Sequence, residues 1–333
     1  MSQASTLSSP DSLPTSAALA GALRLNDWGV MRAVGADAAS FLHSQLTQDT
    51  QSLAVGQSRL AGYCSPKGRL LASLQVLRTE PEQFLLALPA ELLPATLKRL
   101  SMFVLRAKCK LSDASAAQAD GYAVWGLAGE AATQWLGAEA PSTRWATAAR
   151  PLADGRTAFV IRQPDALIEG QTVARYLMLA PSDAAAPTLP ALESAAWEAL
   201  QAASGHAWIR GATVEQFVPQ MLNLELLDGV NFQKGCYPGQ EIVARSQYRG
   251  TVKRRTFLFV SEAAASVGQE VFHSGDPEQP AGMVAAAGRL GERHWLLAET
   301  KLAALEGGSL HLGGPTGPHL QQQALPYAVG APE

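Results

Sequence analysis

The 333-residue chain has only three cysteines, Cys64, Cys109 and Cys236, widely separated and odd in number. That is no disulfide framework, and without a Cys-x-x-Cys pair there is no zinc motif. A reducing cytoplasm is the expected compartment. The spacing does not ask for an iron–sulfur ligand set either. No run of 18 apolar residues occurs, so no transmembrane helix is expected. An excess of positive charge is also missing: 26 Lys and Arg stand against 29 Asp and Glu, a net charge of −3. Direct nucleic-acid or membrane-surface binding is therefore not expected. Residues 1–20 lack lysine and arginine, and Asp11 is their only charged side chain. Rich in Ser, Thr, Pro and Ala, this stretch reads as a disordered tail, neither signal nor transit peptide.

What is present suffices for a sizeable core. Hydrophobic residues make up 47% of the chain, and its length suggests two or three domains. Order is expected from about Leu23. A helix is predicted over 38–46, strands over 60–64, 70–77 and 83–88, a helix over 91–103 and a strand over 104–111. A second run follows, with strands at 122–127, 157–162 and 176–179 and helices at 130–136 and 192–204, the last ended by Gly205. The two runs share a pattern of elements, without a residue-level repeat. From Thr256 short strands at 257–260, 270–272, 283–287, 295–298 and 309–312 alternate with Gly, Pro and Asp turns, the texture of a small β-barrel. The class is α+β followed by a barrel.

Chemistry concentrates in one stretch, Phe232-Gln233-Lys234-Gly235-Cys236-Tyr237-Pro238-Gly239-Gln240-Glu241. Pro238-Gly239 suits the centre of a type II turn. It leads into a helix whose first turn holds Gln240 and Glu241, acceptors suited to exposed N–H groups. Cys236 thus precedes a helix start and lies two residues from Lys234, both of which favour a thiolate. The same residues also suit a small buried filler in a tight turn. Downstream, Arg245, Arg249, Lys253, Arg254 and Arg255 place five cations in eleven residues with no acid. They read either as a solvated strand entry or as an anion site. Lys67 and Arg69, at the Ser65-Pro66-Lys67-Gly68-Arg69 turn, have the same two readings. Trp28 and Trp197 could be core or ligand walls.

Lys234 to Glu241, with Val243-Ala244-Arg245 and Tyr248-Arg249-Gly250, resembles the signature of the YgfZ family, folate-binding proteins related to the aminomethyltransferase (T-protein) of the glycine cleavage system. Gln45-Leu46-Thr47-Gln48-Asp49, the turn at 65–69 and Pro326-Tyr327 are similar to that family too. The resemblance implies a GcvT-like three-lobed fold around a central folate: two intertwined α+β subdomains over 21–250 and a barrel over 251–330. It implies tetrahydrofolate as cofactor, with Trp28, Trp197, Tyr237, Gln240, Glu241 and Arg245 binding it and a pterin stacked between the two tryptophans. Cys236, with Lys234, would be the functional thiol. No resident metal is implied. The implied role is support of iron–sulfur enzymes, including those that thiolate tRNA, by a monomer that is more assembly factor than enzyme. The alternative is a tetrahydrofolate-dependent aminomethyltransferase. Those enzymes have no cysteine at this position and use an aspartate near the folate, for which no clear counterpart stands out.

Overall fold

The computed structural model describes residues 16–248 and 252–330. The chain enters through a 3-10 turn, Ser16–Leu19, whose Leu19 is buried. Order therefore starts inside the stretch expected to be a tail, because Leu19 and Ala20 have core to join; residues 1–15 lie outside the described residues.

Five regular elements, β1 (Gly21–Arg24), β2 (Trp28–Val34), α1 (Ala38–Gln45), β3 (Ser58–Cys64) and β4 (Leu70–Glu80), come first. Then come β5 (Gln83–Pro89), α2 (Leu93–Val104), β6 (Lys110–Asp113), β7 (Tyr122–Ala128) and α3 (Gly129–Leu136). The strand expected from residue 104 begins only at Lys110, because α2 runs on to Val104. The second run continues with β8 (Thr147–Pro151), β9 (Thr157–Arg162), the small hairpin β10 (Ala166–Ile168) and β11 (Gln171–Val173), β12 (Arg175–Pro181) and α4 (Ser194–Ala203).

Two five-stranded antiparallel sheets result, ordered β3-β4-β5-β2-β6 and β1-β7-β12-β9-β8. β1 pairs with β7 while the next strand, β2, pairs with β5, so the chain crosses between the sheets at 25–27. β5 and β12 are apolar almost throughout and are buried along nearly their whole length, as strands covered on both faces must be. A polar seam joins the sheets: Gln163 donates to Gln75 at 3.1 Å, and Ser58 donates to the Trp145 carbonyl at 2.7 Å.

After α5 (Gln240–Tyr248) the remaining strands are β13 (Arg254–Ser261), β14 (Glu270–His273), β15 (Asp276–Leu290), β16 (Arg293–Lys301), β17 (Leu310–Leu312) and β18 (His319–Gln323). They close into a barrel in the order β13-β16-β15-β14-β17-β18. The closing strand, β18, was not expected; its HLQQQ sequence shows little hydrophobic alternation, and only Leu320 is buried.

α4 is the joint between these bodies. Trp197 lies flat on β7, where a Cβ on Gly126 would stand 2.8 Å from three atoms of its ring. On its barrel side, a Cβ on Gly288 of β15 would come within 2.1 Å of the Ala199 nitrogen. Gly205, at φ 72°, ends the helix as expected. Tyr327 packs on Gly205 and donates to its carbonyl at 2.6 Å, pinning the chain beyond the barrel to the helix end.

Gly288→Ala should push β15 off α4. The expected cost is about 1–3 kcal/mol in chemical denaturation. An unchanged denaturation midpoint would show that the barrel does not depend on this contact.

Candidate functional site

The 232–241 stretch is held by the segment that ends α1. Thr47, fully buried, donates from Oγ1 to the Gly229 carbonyl at 2.6 Å and accepts from the Gly62 N–H at 2.7 Å. Gln48 donates to the Asp228 carbonyl at 2.6 Å, and the Asn231 N–H donates to the Thr47 carbonyl at 2.9 Å. Lys234 then reaches back across α1: its ammonium donates to the carbonyls of His43 and, at 2.9 Å, Leu46. The last carbonyls of a helix have no partner within it and carry its negative pole, so a half-buried ammonium there satisfies both needs. Burial pulls the Lys234 amine down to about 8, against the opposing pull of Asp49 and Cys236.

Beyond Lys234 the chain turns outward. Gly235 and Cys236 are exposed, Tyr237 is buried beneath Lys234 with its ring centroid 4.8 Å from Nζ, and Gly239 sits at φ 79°. The Gln240 N–H donates to the Tyr237 carbonyl at 3.2 Å, closing the expected turn. That turn lies directly on the 65–69 turn, where a Cβ on Gly239 would meet the Ser65 carbonyl at 2.4 Å and the Gly68 backbone at 2.6 Å. Cys236 is thus no packing residue. The other two cysteines differ: Cys64 is buried, its thiol pushed up to about 12 by burial, and Cys109, half-buried, is pushed up to about 11 by burial and by Asp37.

One residue of this site carried no functional signal in the sequence. His43 Nδ1 lies 2.8 Å from Asp49 Oδ1, and a Cβ at Gly235 would stand 3.4 Å from His43 Nε2. Burial would raise the Asp49 carboxyl, but hydrogen bonds from Ser52, His43 and Gln51 outweigh it and hold the group at about 2.

The two expected ligand tryptophans lie elsewhere, each with its own partners. Trp28 is buried edge-to-face on Trp208, centroids 4.9 Å apart, and the Arg175 guanidinium lies 4.6 Å from the centroid of buried Trp197. A single buried cluster links them. Arg175 donates to Gln201 Oε1 at 2.5 Å, Gln201 donates to the His206 carbonyl at 2.6 Å, and the His206 ring lies 4.4 Å from Trp208 and 5.6 Å from Trp145. His206 is fully buried, and neither ring nitrogen has a hydrogen-bond partner; Arg175 Nε has none either. Burial, aided by Arg175 and Arg144, lowers His206 to about 3, so the imidazole is neutral. Two cavities flank the cluster. One of about 390 Å³ is lined by Trp208, Gln201, Asp27, Glu198 and Arg210. The other, of about 440 Å³, is lined by Trp145, Arg144, Arg59, Gln48 and Asp228. Sequence reasoning missed this cluster because β12, α4 and the 206–208 segment meet only through the fold.

The basic run divides. Arg254 pairs with buried Glu299, and Arg255 pairs with buried Glu225 at 2.6 Å and with Asn223 at 3.1 Å. These two are structural, and their acids come from distant sequence, which corrects the reading of 245–255 as one anion site. Arg69 likewise donates to the Glu215 and Gln216 carbonyls, while Lys67 stays exposed. Arg245 makes only an exposed pair with Glu241, and Arg249 lies outside the described residues. Gln240 is partly exposed at the start of α5.

The fold is that of the T-protein class. It matches the crystal structure of the glycine cleavage system aminomethyltransferase T from Bartonella henselae with a TM-score of 0.71 at 17% identity, over 92% of this chain and 86% of that one. In sequence, the chain is 34% identical to the tRNA-modifying protein YgfZ of Edwardsiella ictaluri over 282 residues, 81% of each protein. It is 29% identical to the YgfZ of Sodalis glossinidius over 328 residues, 96% of each. No family model matches. The chain belongs to the YgfZ family.

Arg255→Ala would strand the Glu225 carboxylate in the interior. It should cost about 3–5 kcal/mol, whereas loss of the exposed Arg245 pair in Arg245→Ala should cost under about 0.5 kcal/mol. Equal melting of the two variants would contradict the division made here.

Proposed function

We propose that this protein binds tetrahydrofolate in its buried centre and supports iron–sulfur enzymes of the cytoplasm, including tRNA-thiolating ones, through the exposed Cys236. One observation carries the folate reading: a neutral, fully buried His206 has both nitrogens unpaired beside Arg175 Nε, in a cluster bounded by Trp28 and Trp197. Buried polar groups are rarely left without partners unless something else supplies them. A neutral imidazole offers one donor and one acceptor, and Arg175 Nε offers a donor, which suits the polar edge of a pterin. The flanking cavities are of small-ligand size. In this reading the ring lies against the cluster and is walled by Trp28 and Trp197 at its two ends. Tyr237, Gln240, Glu241 and Arg245 belong to the loop and α5, and Arg245, with exposed Lys253, offers positive charge to the anionic tail.

The loop reading is independent of the ligand. An accessible thiol beside a half-buried ammonium, on backbone pinned by Thr47 and Gln48, is presented rather than packed. Client recognition by iron–sulfur enzymes belongs to this face, and the chain acts there as an assembly or repair factor working as a monomer.

Tetrahydrofolate titration should quench tryptophan fluorescence. Trp28→Phe, Trp197→Phe and His206→Leu should each weaken binding, His206→Leu by about 1–3 kcal/mol, the scale of a lost buried hydrogen bond. His206→Leu should also melt no lower than the parent, since it removes two unpaired buried nitrogens. Unchanged affinity in all three variants would sink the folate site.

Cys236→Ser should melt within a few degrees of the parent and still bind tetrahydrofolate. It should nevertheless fail to restore iron–sulfur enzyme activity in a strain lacking the protein, whereas Cys64→Ser and Cys109→Ser should restore it. Full complementation by Cys236→Ser would remove the thiol from the function.

A further inference from the structure

We propose that His43, oriented by Asp49, is the proton acceptor that activates the Cys236 thiol. The proposal deepens the reading of Cys236 and rests on its being a working thiol. Three observations support it.

The first is tautomeric. Asp49 is held as a carboxylate by the Ser52 hydroxyl, the N–H groups of Gln51 and Ser52, and His43 Nδ1. Its oxygens are acceptors only, so His43 must present Nδ1–H to Oδ1, which leaves the lone pair on Nε2. The second is position. A Cβ at Gly235 would stand 3.4 Å from Nε2, in ordinary van der Waals contact, so the loop backbone runs alongside the imidazole, and the next residue is Cys236. The third is anchoring. Lys234 donates to the carbonyl of His43 itself, so the base and the loop that carries the thiol are tied to each other.

The surroundings assign the other roles. Around His43, Asp49 takes its Nδ1 and Lys234 its carbonyl; Lys234 in turn lies near Asp49 and Cys236 and over the Tyr237 ring, and Arg59 of β3 donates to the Asp49 backbone carbonyl. Lys234 donates two of its three N–H groups to carbonyls, so at pH 7 it serves as a positive charge and not as the base. His43 is 15% exposed in its side chain, so its proton can leave to solvent. Cys236 makes no hydrogen bond in the resting structure, and such contacts often tighten only when a substrate is bound. Nucleophile, base and orienting carboxylate together form the constellation that thiol and hydroxyl nucleophiles use.

In the step assigned, His43 Nε2 takes the S–H proton. The thiolate then attacks an electrophilic atom, and the imidazolium passes its proton to solvent or to the leaving group. Iodoacetamide is a simple probe: the C–S bond forms, the C–I bond breaks and iodide leaves.

The test is the pH–rate profile of Cys236 alkylation by iodoacetamide on the full chain, read by peptide mass spectrometry. At pH 7, His43→Gln should alkylate Cys236 about tenfold or more slowly than the parent. The gap should close as pH rises and the thiol ionises without help, a pattern that simple loosening of the loop would not produce. Asp49→Asn should move the rate in the same direction and serves if His43→Gln fails to fold. Superimposed profiles for parent and variants overturn the assignment while leaving Cys236 a reactive thiol. A Cys236 that reacts only on unfolding overturns the thiol reading as well.

Discussion

The Lys234 ammonium at the end of α1 is the contact on which the rest of the loop depends. Removing it would leave the His43 and Leu46 carbonyls without their donor and would release the Lys234 end of the 232–241 stretch from α1. Among the described residues no other cation donates to those carbonyls: His43 is the basic residue of the last turn, and its ring is turned to Asp49. The cost of holding Lys234 half-buried is visible in its lowered proton affinity. In return, the two residues that follow emerge into solvent on a backbone fixed at both ends, by Lys234 on one side and by the Gly239–Gly68 contact on the other.

Around that loop the architecture supplies rigidity at one place and an unfinished interior at another. α4 is clamped between β7 and the barrel by contacts so close that only glycine fits opposite it, at Gly126 and Gly288. Yet the chain just past that clamp holds His206 unpaired. A protein that spends glycines on close packing and leaves an imidazole unsatisfied a few residues away has given up stability locally, which is where ligand sites are expected.

Much of this was legible in the sequence because the signals are local. Pro238-Gly239 announced its turn, Gly205 its helix end, and the strands of both runs their periods. The thiol's setting was legible too, since Lys234, Gly235 and Cys236 are neighbours. What was not legible depends on distant partners. Arg254 and Arg255 read as free cations because Glu299 and Glu225 are remote in sequence. β8 and β18 are short and largely exposed, and carry too few buried residues to show a period. The order at Ser16–Leu19 was hidden by a polar, low-complexity composition. Trp28 and Trp197 could be named as candidates, but only the fold shows that Trp208, His206, Gln201 and Arg175 link them.

The central claim is that Lys234 fixes the loop that presents Cys236, and amide hydrogen exchange of Lys234→Met tests it most directly. The account predicts that amides of residues 229–240 and of the last turn of α1 exchange at least about tenfold faster than in the parent, while α4 and the barrel strands stay protected. Unchanged protection at 229–240 would contradict it.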